Sequence, residues 1–269
     1  MNDLTPKVVR TSTLANFKAE GRKFSCLTSY DSITAGIFDE AGIDVLLVGD
    51  SAADNALGYS TTLPITVNEM IPFARAVASA TKRALVVVDL PFGSYETSPA
   101  DALATAIRVM KATGAQAVKL EGGVRSVEAI KTIVTAGIPV MGHIGFTPQS
   151  VHSLGGFKVQ GRGDGAETLL EDARAVEAAG AFAIVLELVP AELADEVTKE
   201  LSIATIGIGA GNSTDGQILV WTDFAGMHSG PARKFVRKYA DLRGDLLKAA
   251  REYRGDVASG DFPNKDEGF

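Results

Sequence analysis

Apolar and polar residues fall in blocks along this chain. The stretch ALVVVDLPFG (84–93) sets five apolar residues directly before Asp89, then Pro91 and Gly93. A short β-branched run bounded by turn residues reads as a buried strand. Four segments repeat one unit: AGIDVLLVGD (41–50), TGAQAVKLEG (113–122), AGIPVMGHIG (136–145) and AGAFAIVLEL (179–188). In each, a small residue and a glycine end a helix, one or two residues connect, and a short apolar strand follows. DSITAGIFDEAG (31–42), SPADALATAIRVMKATG (98–114), VRSVEAIKTIVTAG (124–137) and GAETLLEDARAVEAAG (165–180) carry apolar residues at helical spacing. The last has acids near its start, which suits the helix dipole.

The pattern predicts eight strands, near 24–28, 44–49, 84–89, 116–121, 138–143, 182–187, 203–208 and 217–221. Strands alternating with helices of this length imply βαβ units and a parallel sheet. Eight such units in roughly 250 residues is the size of a TIM (β/α)8 barrel, with an open doubly wound sheet as the alternative. No linker or composition break divides the chain, so one catalytic domain is expected over 1–269. A helical extension is expected over about 1–22, and the charged, glycine-containing tail from about 254 to 269 reads as a flexible or lid-like end.

Composition narrows the function classes. A formal charge of −7 argues against nucleic acid or an anionic membrane as partner, since both call for a cationic surface. No run approaches the ~18–20 apolar residues of a membrane span, and the opening segment lacks the apolar core of a signal peptide. The single cysteine, Cys26, allows no intrachain disulfide and fits a reducing compartment. These features predict a cytoplasmic protein.

The strand ends carry the candidate chemistry. Predicted strands two to six finish at Asp50, Asp89, Glu121, His143 and Glu187. In a barrel such ends converge on one face, where the catalytic groups sit. Any one acid there reads equally well as solvated punctuation; five consecutive strands read as a shared site. Clustered carboxylates need a counter-charge. His143, His152 and His228 are scattered and give no zinc-type spacing, whereas oxygen ligands from Asp50, Asp89 and Glu121 suit magnesium. A 2-oxo acid would chelate such a cation through its carboxylate and keto oxygens. Lys119, two residues before Glu121, points the same way on a strand and would bind an anionic group or simply snorkel at the strand end. Metal chelation eases proton removal beside a keto group, and Glu187 in FAIVLELVP is the candidate base, with His143 as its rival. The glycine-rich IGIGAGNSTDG (206–216) reads as an anion-binding loop or a tight turn. The long loop 143–165 reads as a lid or an oligomer contact.

LLVGDS, TLPIT, DLPFGSY, VKLEGG, GHIGFTPQS, VQGRGD, LELVP and IGIGAGNSTDGQILV occur in the order expected of the ketopantoate hydroxymethyltransferase (3-methyl-2-oxobutanoate hydroxymethyltransferase) family. The resemblance runs from about Phe24 to Val220 and is looser beyond, where MHSGPARKFVRKY departs from the pattern. It implies a TIM barrel of the phosphoenolpyruvate mutase/isocitrate lyase type. It also implies magnesium, and transfer of a hydroxymethyl group from 5,10-methylenetetrahydrofolate to 3-methyl-2-oxobutanoate in pantothenate synthesis. By matched motif, Asp50, Asp89 and Glu121 would be the metal-site acids, reaching magnesium directly or through water. Asp50, Ser51, Asp89 and Lys119 would contact the oxo acid, Glu187 would accept the proton, and His143 would be accessory. A large homo-oligomer, commonly a decamer, is implied as well. Two rival readings are a mutase or lyase of the phosphoenolpyruvate mutase type and a barrel that has lost catalysis. The first typically carries a cysteine in its catalytic loop, and here the only cysteine lies in the first strand. The second predicts damage among the acids, and none is present.

Overall fold

The computed structural model describes residues 8–230 and 233–269. The start of the expected N-terminal extension (1–7) and two positions within MHSGPARKFVRKY (231–232) lie outside the described residues. The chain divides into two compact units, Met1–Val220 and Trp221–Phe269.

The first unit is a closed parallel barrel. Its strands are β1 (Phe24–Thr28), β2 (Val45–Val48), β3 (Leu85–Asp89), β4 (Ala117–Glu121), β5 (Val140–Gly145), β6 (Ala183–Glu187), β7 (Ala204–Ile208) and β8 (Gly216–Leu219). Each strand pairs with the next, and β8 closes on β1 through Cys26 opposite Ile218. The open sheet is thereby excluded. All eight predicted strands are present, with ends shifted by a residue or two. The glycines of the repeated unit, Gly42, Gly114, Gly137 and Gly180, all stand at positive φ, between 80° and 97°. They end helices as the pattern predicted, because a left-handed residue there costs glycine no Cβ clash.

Side chains on a strand alternate, so one residue in two points into the barrel. The inner set includes Val45 and Leu47, Leu85 and Val87, Ala117, Met141, Ala183 and Val185, all in one buried cluster. Leu14 and Phe17 of helix α1 (Thr11–Ala19) belong to the same cluster, and the Phe17 ring packs 6.3 Å from that of Phe24 at the start of β1. Helix α1 therefore closes the end where the strands begin. The opposite end is left to polar side chains.

Seven α-helices lie between the strands: α2 (Ser32–Glu40), the short α3 (Ala52–Asn55), α4 (Val67–Ala80), α5 (Pro99–Thr113), α6 (Val127–Thr135), α7 (Gly165–Ala178) and α8 (Ala191–Glu200). Helices α3, α4 and α8 were not evident in the sequence pattern. In α4 Pro72, a residue that ordinarily breaks a helix interior, falls within the helix, while a Thr66–Glu69 capping box fixes its start.

The second unit contains α9 (Trp221–Phe224) and α10 (Leu242–Ser259). Asp241 caps α10 through the Gly244 amide, and Gly260 ends it in the left-handed conformation. Arg254–Ser259, the first part of the tail read as a flexible end, are thus the last turns of a helix. Glycines at 244 and 255 and the absence of a buried face disguised that helix in the sequence.

Candidate active site

The inner rows of the barrel carry on past the apolar core into charge. Counting by two, Leu85 and Val87 lead to Asp89, Ala117 to Lys119 and Glu121, Met141 to His143, and Ala183 and Val185 to Glu187. These five polar residues are all buried, none more than 8% exposed. Strand geometry and hydrophobic patterning alone set them on one floor above the core.

Asp50 reaches the same floor differently. Strand β2 ends at Val48, two residues before it, so the expected strand-end position is instead the first turn beyond the strand. The Asp50 amide donates to Asp89 Oδ2 at 3.0 Å. Gly49 makes this possible, because a Cβ there would stand 2.9 Å from Ser51 Oγ and 3.4 Å from Asp89 Oδ2. Next to it, Ser51 Oγ shares a 2.7 Å hydrogen bond with the Tyr30 hydroxyl from the end of β1.

Lys119 is the positive centre of the cluster. Its Nζ lies 2.6 Å from Asp89 Oδ1, an ion pair off the angle of a hydrogen bond, and 3.2 Å from His143 Nδ1. Burial alone would lower its pKa, but Asp89, Glu121 and Asp50 outweigh that and raise it, so it stays charged. It is held by the cluster and is not snorkelling to solvent.

His143 sits at the crossing of two lines of contact. Its Nδ1 is 3.3 Å from Glu121 Oε1 and its Nε2 is 3.3 Å from Glu187 Oε2, just beyond hydrogen-bond geometry. Burial and the Lys119 charge lower its pKa, while Glu187 opposes the shift. A neutral ring accepting from Lys119 at Nδ1 carries its proton on Nε2, facing Glu187; this tautomer is assigned from the partners. Glu187 is pushed up by burial, with His143 acting against the shift. That is the direction a base working near neutral pH requires. The structure therefore sets the two rival bases side by side in unequal states, the carboxyl moved up and the imidazole moved down.

The acids around Lys119 are also perturbed. Asp50 is raised to about 8, first by burial and then by Asp89 and Glu121. Glu121 is raised to about 7, by burial more than by Asp89, with Lys119 pulling the other way. Crowded buried carboxylates of this kind call for a cation. The donor set of Asp50, Asp89 and Glu121 is all hard oxygen, and the buried Glu121 Oε1 accepts no hydrogen bond. These features fit magnesium. Among the described residues no three histidine, cysteine or acidic side chains form a ready-made metal cage.

Two polar residues of the site were not singled out as candidates from the sequence. Gln149 Nε2 donates to Asp50 Oδ2 and to the Leu90 carbonyl, both at 3.1 Å, and its backbone amide donates to Glu121 Oε2 at 3.0 Å. The Tyr95 hydroxyl donates to Gln149 Oε1 at 2.6 Å and accepts from the Glu121 amide at 3.2 Å. Their only sequence signal was position, in DLPFGSY and GHIGFTPQS. His152 is not brought into the cluster, and neither is Cys26, which lies buried in the core. The 206–216 loop is a tight turn. A Cβ at Gly211 would stand 2.6 Å from Ala191 Cβ, and Gln217 Nε2 donates to the Gly211 carbonyl at 2.9 Å.

A family model described as ketopantoate hydroxymethyltransferase matches residues 8–265. The chain belongs to the ketopantoate hydroxymethyltransferase family. Among curated relatives, a 3-methyl-2-oxobutanoate hydroxymethyltransferase of Leifsonia xyli subsp. xyli is 64% identical over 98% of this chain and 96% of its own length. One of Corynebacterium efficiens is 61% identical across the full length of both chains. Solved structures with the same fold include a phosphonopyruvate hydrolase in complex with oxalate and Mg++ (TM-score 0.63, 12% identity, 97% of this chain and 93% of that one). Another is 2,3-dimethylmalate lyase, a member of the PEP mutase/isocitrate lyase superfamily (TM-score 0.60, 18% identity, 97% and 91%). At such identities the likeness is one of fold alone, the (β/α)8 barrel expected for this ketopantoate hydroxymethyltransferase family member. No helix among the described residues is long and apolar enough to cross a membrane.

Proposed function

We propose that this chain transfers a hydroxymethyl group from 5,10-methylenetetrahydrofolate to 3-methyl-2-oxobutanoate, giving 2-dehydropantoate for pantothenate synthesis. Family membership supports the class of reaction. The observation that carries the mechanism is the buried row Lys119–His143–Glu187, with acids on one side and a carboxyl of raised pKa on the other. Asp50, Asp89 and Glu121 would hold magnesium, whose charge would steady the enolate that develops when the oxo acid loses its C3 proton. Among the described residues no three such side chains form a closed cage, and substrate and water would complete the shell.

The chain's own residues then divide the work. Lys119 supplies a fixed positive charge for the substrate's carboxylate end. Ser51, held by the Tyr30 hydroxyl, offers a hydrogen bond to the oxo acid, next to Asp50 and Asp89. Glu187 takes the proton from C3 in its carboxylate form, and His143, through Nε2, orients the carboxylate and steadies it as it changes charge. Water releases the one-carbon unit of the folate as formaldehyde, leaving tetrahydrofolate with both its N–H groups; the carbon left electron-rich attacks the formaldehyde carbon, and the proton held by Glu187 is available to the oxygen that becomes the new hydroxyl. A cytoplasmic homodecamer belongs to the same reading, and light scattering on the purified protein tests its assembly. The decisive assay incubates purified protein with both substrates and magnesium, with and without chelator. Ketopantoate formed only with the metal supports the proposal, and no product under any metal condition overturns it.

A further inference from the structure

We propose that Gln149 and Tyr95 are a positioning pair that holds one oxygen of Asp50 and one of Glu121 and so leaves the remaining oxygens for a cation. This rests on the reading of Asp50 and Glu121 as cation-holding acids. The bonds form a closed loop. The Glu121 amide donates to the Tyr95 hydroxyl, which donates to Gln149 Oε1, and the Gln149 amide donates back to Glu121 Oε2. A branch runs from Gln149 Nε2 to Asp50 Oδ2 and to the Leu90 carbonyl, one residue beyond Asp89.

The direction of every bond in this loop is determined. The Leu90 carbonyl can only accept, so the Gln149 amino group must face it and the Asp50 Oδ2 beside it, and the amide oxygen must face the hydroxyl of Tyr95. The amide orientation follows from the chemistry of its neighbours. Gln149 is 5% exposed and Tyr95 4%, so water does not compete for these bonds. Tyr95 is further committed to the protonated form, since burial and Glu121 raise its pKa. Each acid thus spends one oxygen on Gln149. The oxygens left over are Asp50 Oδ1 and Glu121 Oε1, and Glu121 Oε1 is buried with no hydrogen bond of its own.

The loop also ties the site to the segment after β5. Gln149 lies in the 3-10 turn Pro148–Ser150, whose Ser150 Oγ accepts from Arg125 at 2.7 Å. Anything that moves this turn therefore moves the two acids.

The test measures magnesium affinity by calorimetry on the full chain, without substrates, for wild type, Gln149→Met and Tyr95→Phe, with melting temperatures recorded beside it. Gln149→Met keeps the length and removes the donors; Tyr95→Phe keeps the ring and removes the hydroxyl. The expected result is a loss of about tenfold or more in affinity for Gln149→Met, as one charge-assisted hydrogen bond is worth. A smaller loss is expected for Tyr95→Phe, with the metal-free melting temperature little changed. If Gln149→Met does not fold, Tyr95→Phe decides alone. Variants that bind magnesium as tightly as wild type overturn the positioning role and leave the proposed function standing. A wild type that binds no magnesium overturns both.

Discussion

Lys119 Nζ stands 3.2 Å from His143 Nδ1, and because an ammonium can only donate, it fixes the ring proton on the far nitrogen, toward Glu187. One lysine thus serves two purposes: it balances Asp89 and sets the tautomer of the histidine beside the base. Replacing it with methionine, which keeps much of the stem, removes both effects. Lys119→Met is expected to lower kcat/KM by about 100-fold or more, in the range typical of a lost acid–base or electrostatic partner. Long-range nitrogen–proton NMR of the His143 ring should show the Nε2–H tautomer in wild type and a mixture in the variant. A wild-type ring protonated on Nδ1 would contradict the assignment.

The acid cluster makes the metal-free protein sensitive to alkali. Asp50 and Glu121 hold protons up to about 8 and about 7, far above their ordinary range. From about pH 6.5 to 8 the folded protein therefore binds protons that the unfolded chain has released, and stability falls as pH rises. The raised pKa of Glu187 acts in the same direction. The lowered pKa of His143 acts oppositely, but only below the ordinary histidine value, and the raised pKa of Lys119 matters only at strongly alkaline pH. Thermal melts in chelator should show a lower melting temperature at pH 8 than at pH 6.5. Magnesium, which favours the ionised acids, should raise the melting temperature more at pH 8. A magnesium shift equal at both values would contradict the clustering.

Gly145 is the backbone support of the base. It stands at φ 88°, and a Cβ there would come 2.3 Å from the Glu187 carbonyl oxygen. The next residue, Phe146, donates its amide to that same oxygen at 2.8 Å. Leu188, directly after Glu187, is the single non-glycine residue at positive φ among the described residues (50°), a conformation that costs about 1–2 kcal/mol. Its amide donates to the Ile208 carbonyl and its own carbonyl accepts from Gln160. Gly145→Ala is expected to destabilise the fold by about 2–4 kcal/mol and to lower kcat in the fraction that remains folded. Denaturant unfolding and active-site-normalised rates would check it. A variant as stable and as active as wild type would show that the close approach is dispensable.

Much of this site was legible in the residues because barrel geometry is periodic. Once LVVVD and AVKLE are read as strands, alternation alone sends Asp89, Lys119 and Glu121 inward. The glycines of the repeated unit gave the strand starts, and all eight strands appeared. Asp50 was reached for a different reason than expected: it lies past the end of β2 and depends on the turn at Gly49. Gln149 and Tyr95 were obscure because neither is charged and their role lies in contacts between residues 54 positions apart. Helix α10 was obscure because its stabilising periodicity is weak and two glycines interrupt it.

The central claim is that Glu187 removes the C3 proton of the oxo acid. The direct measurement is proton NMR of 3-methyl-2-oxobutanoate in deuterated solvent with magnesium and no folate, comparing wild type with Glu187→Gln. Wild type should exchange the C3 proton for deuterium, and the variant should lose exchange by about 100-fold or more while still binding the oxo acid. Exchange in Glu187→Gln at the wild-type rate would contradict the claim and move the base to His143 or a water.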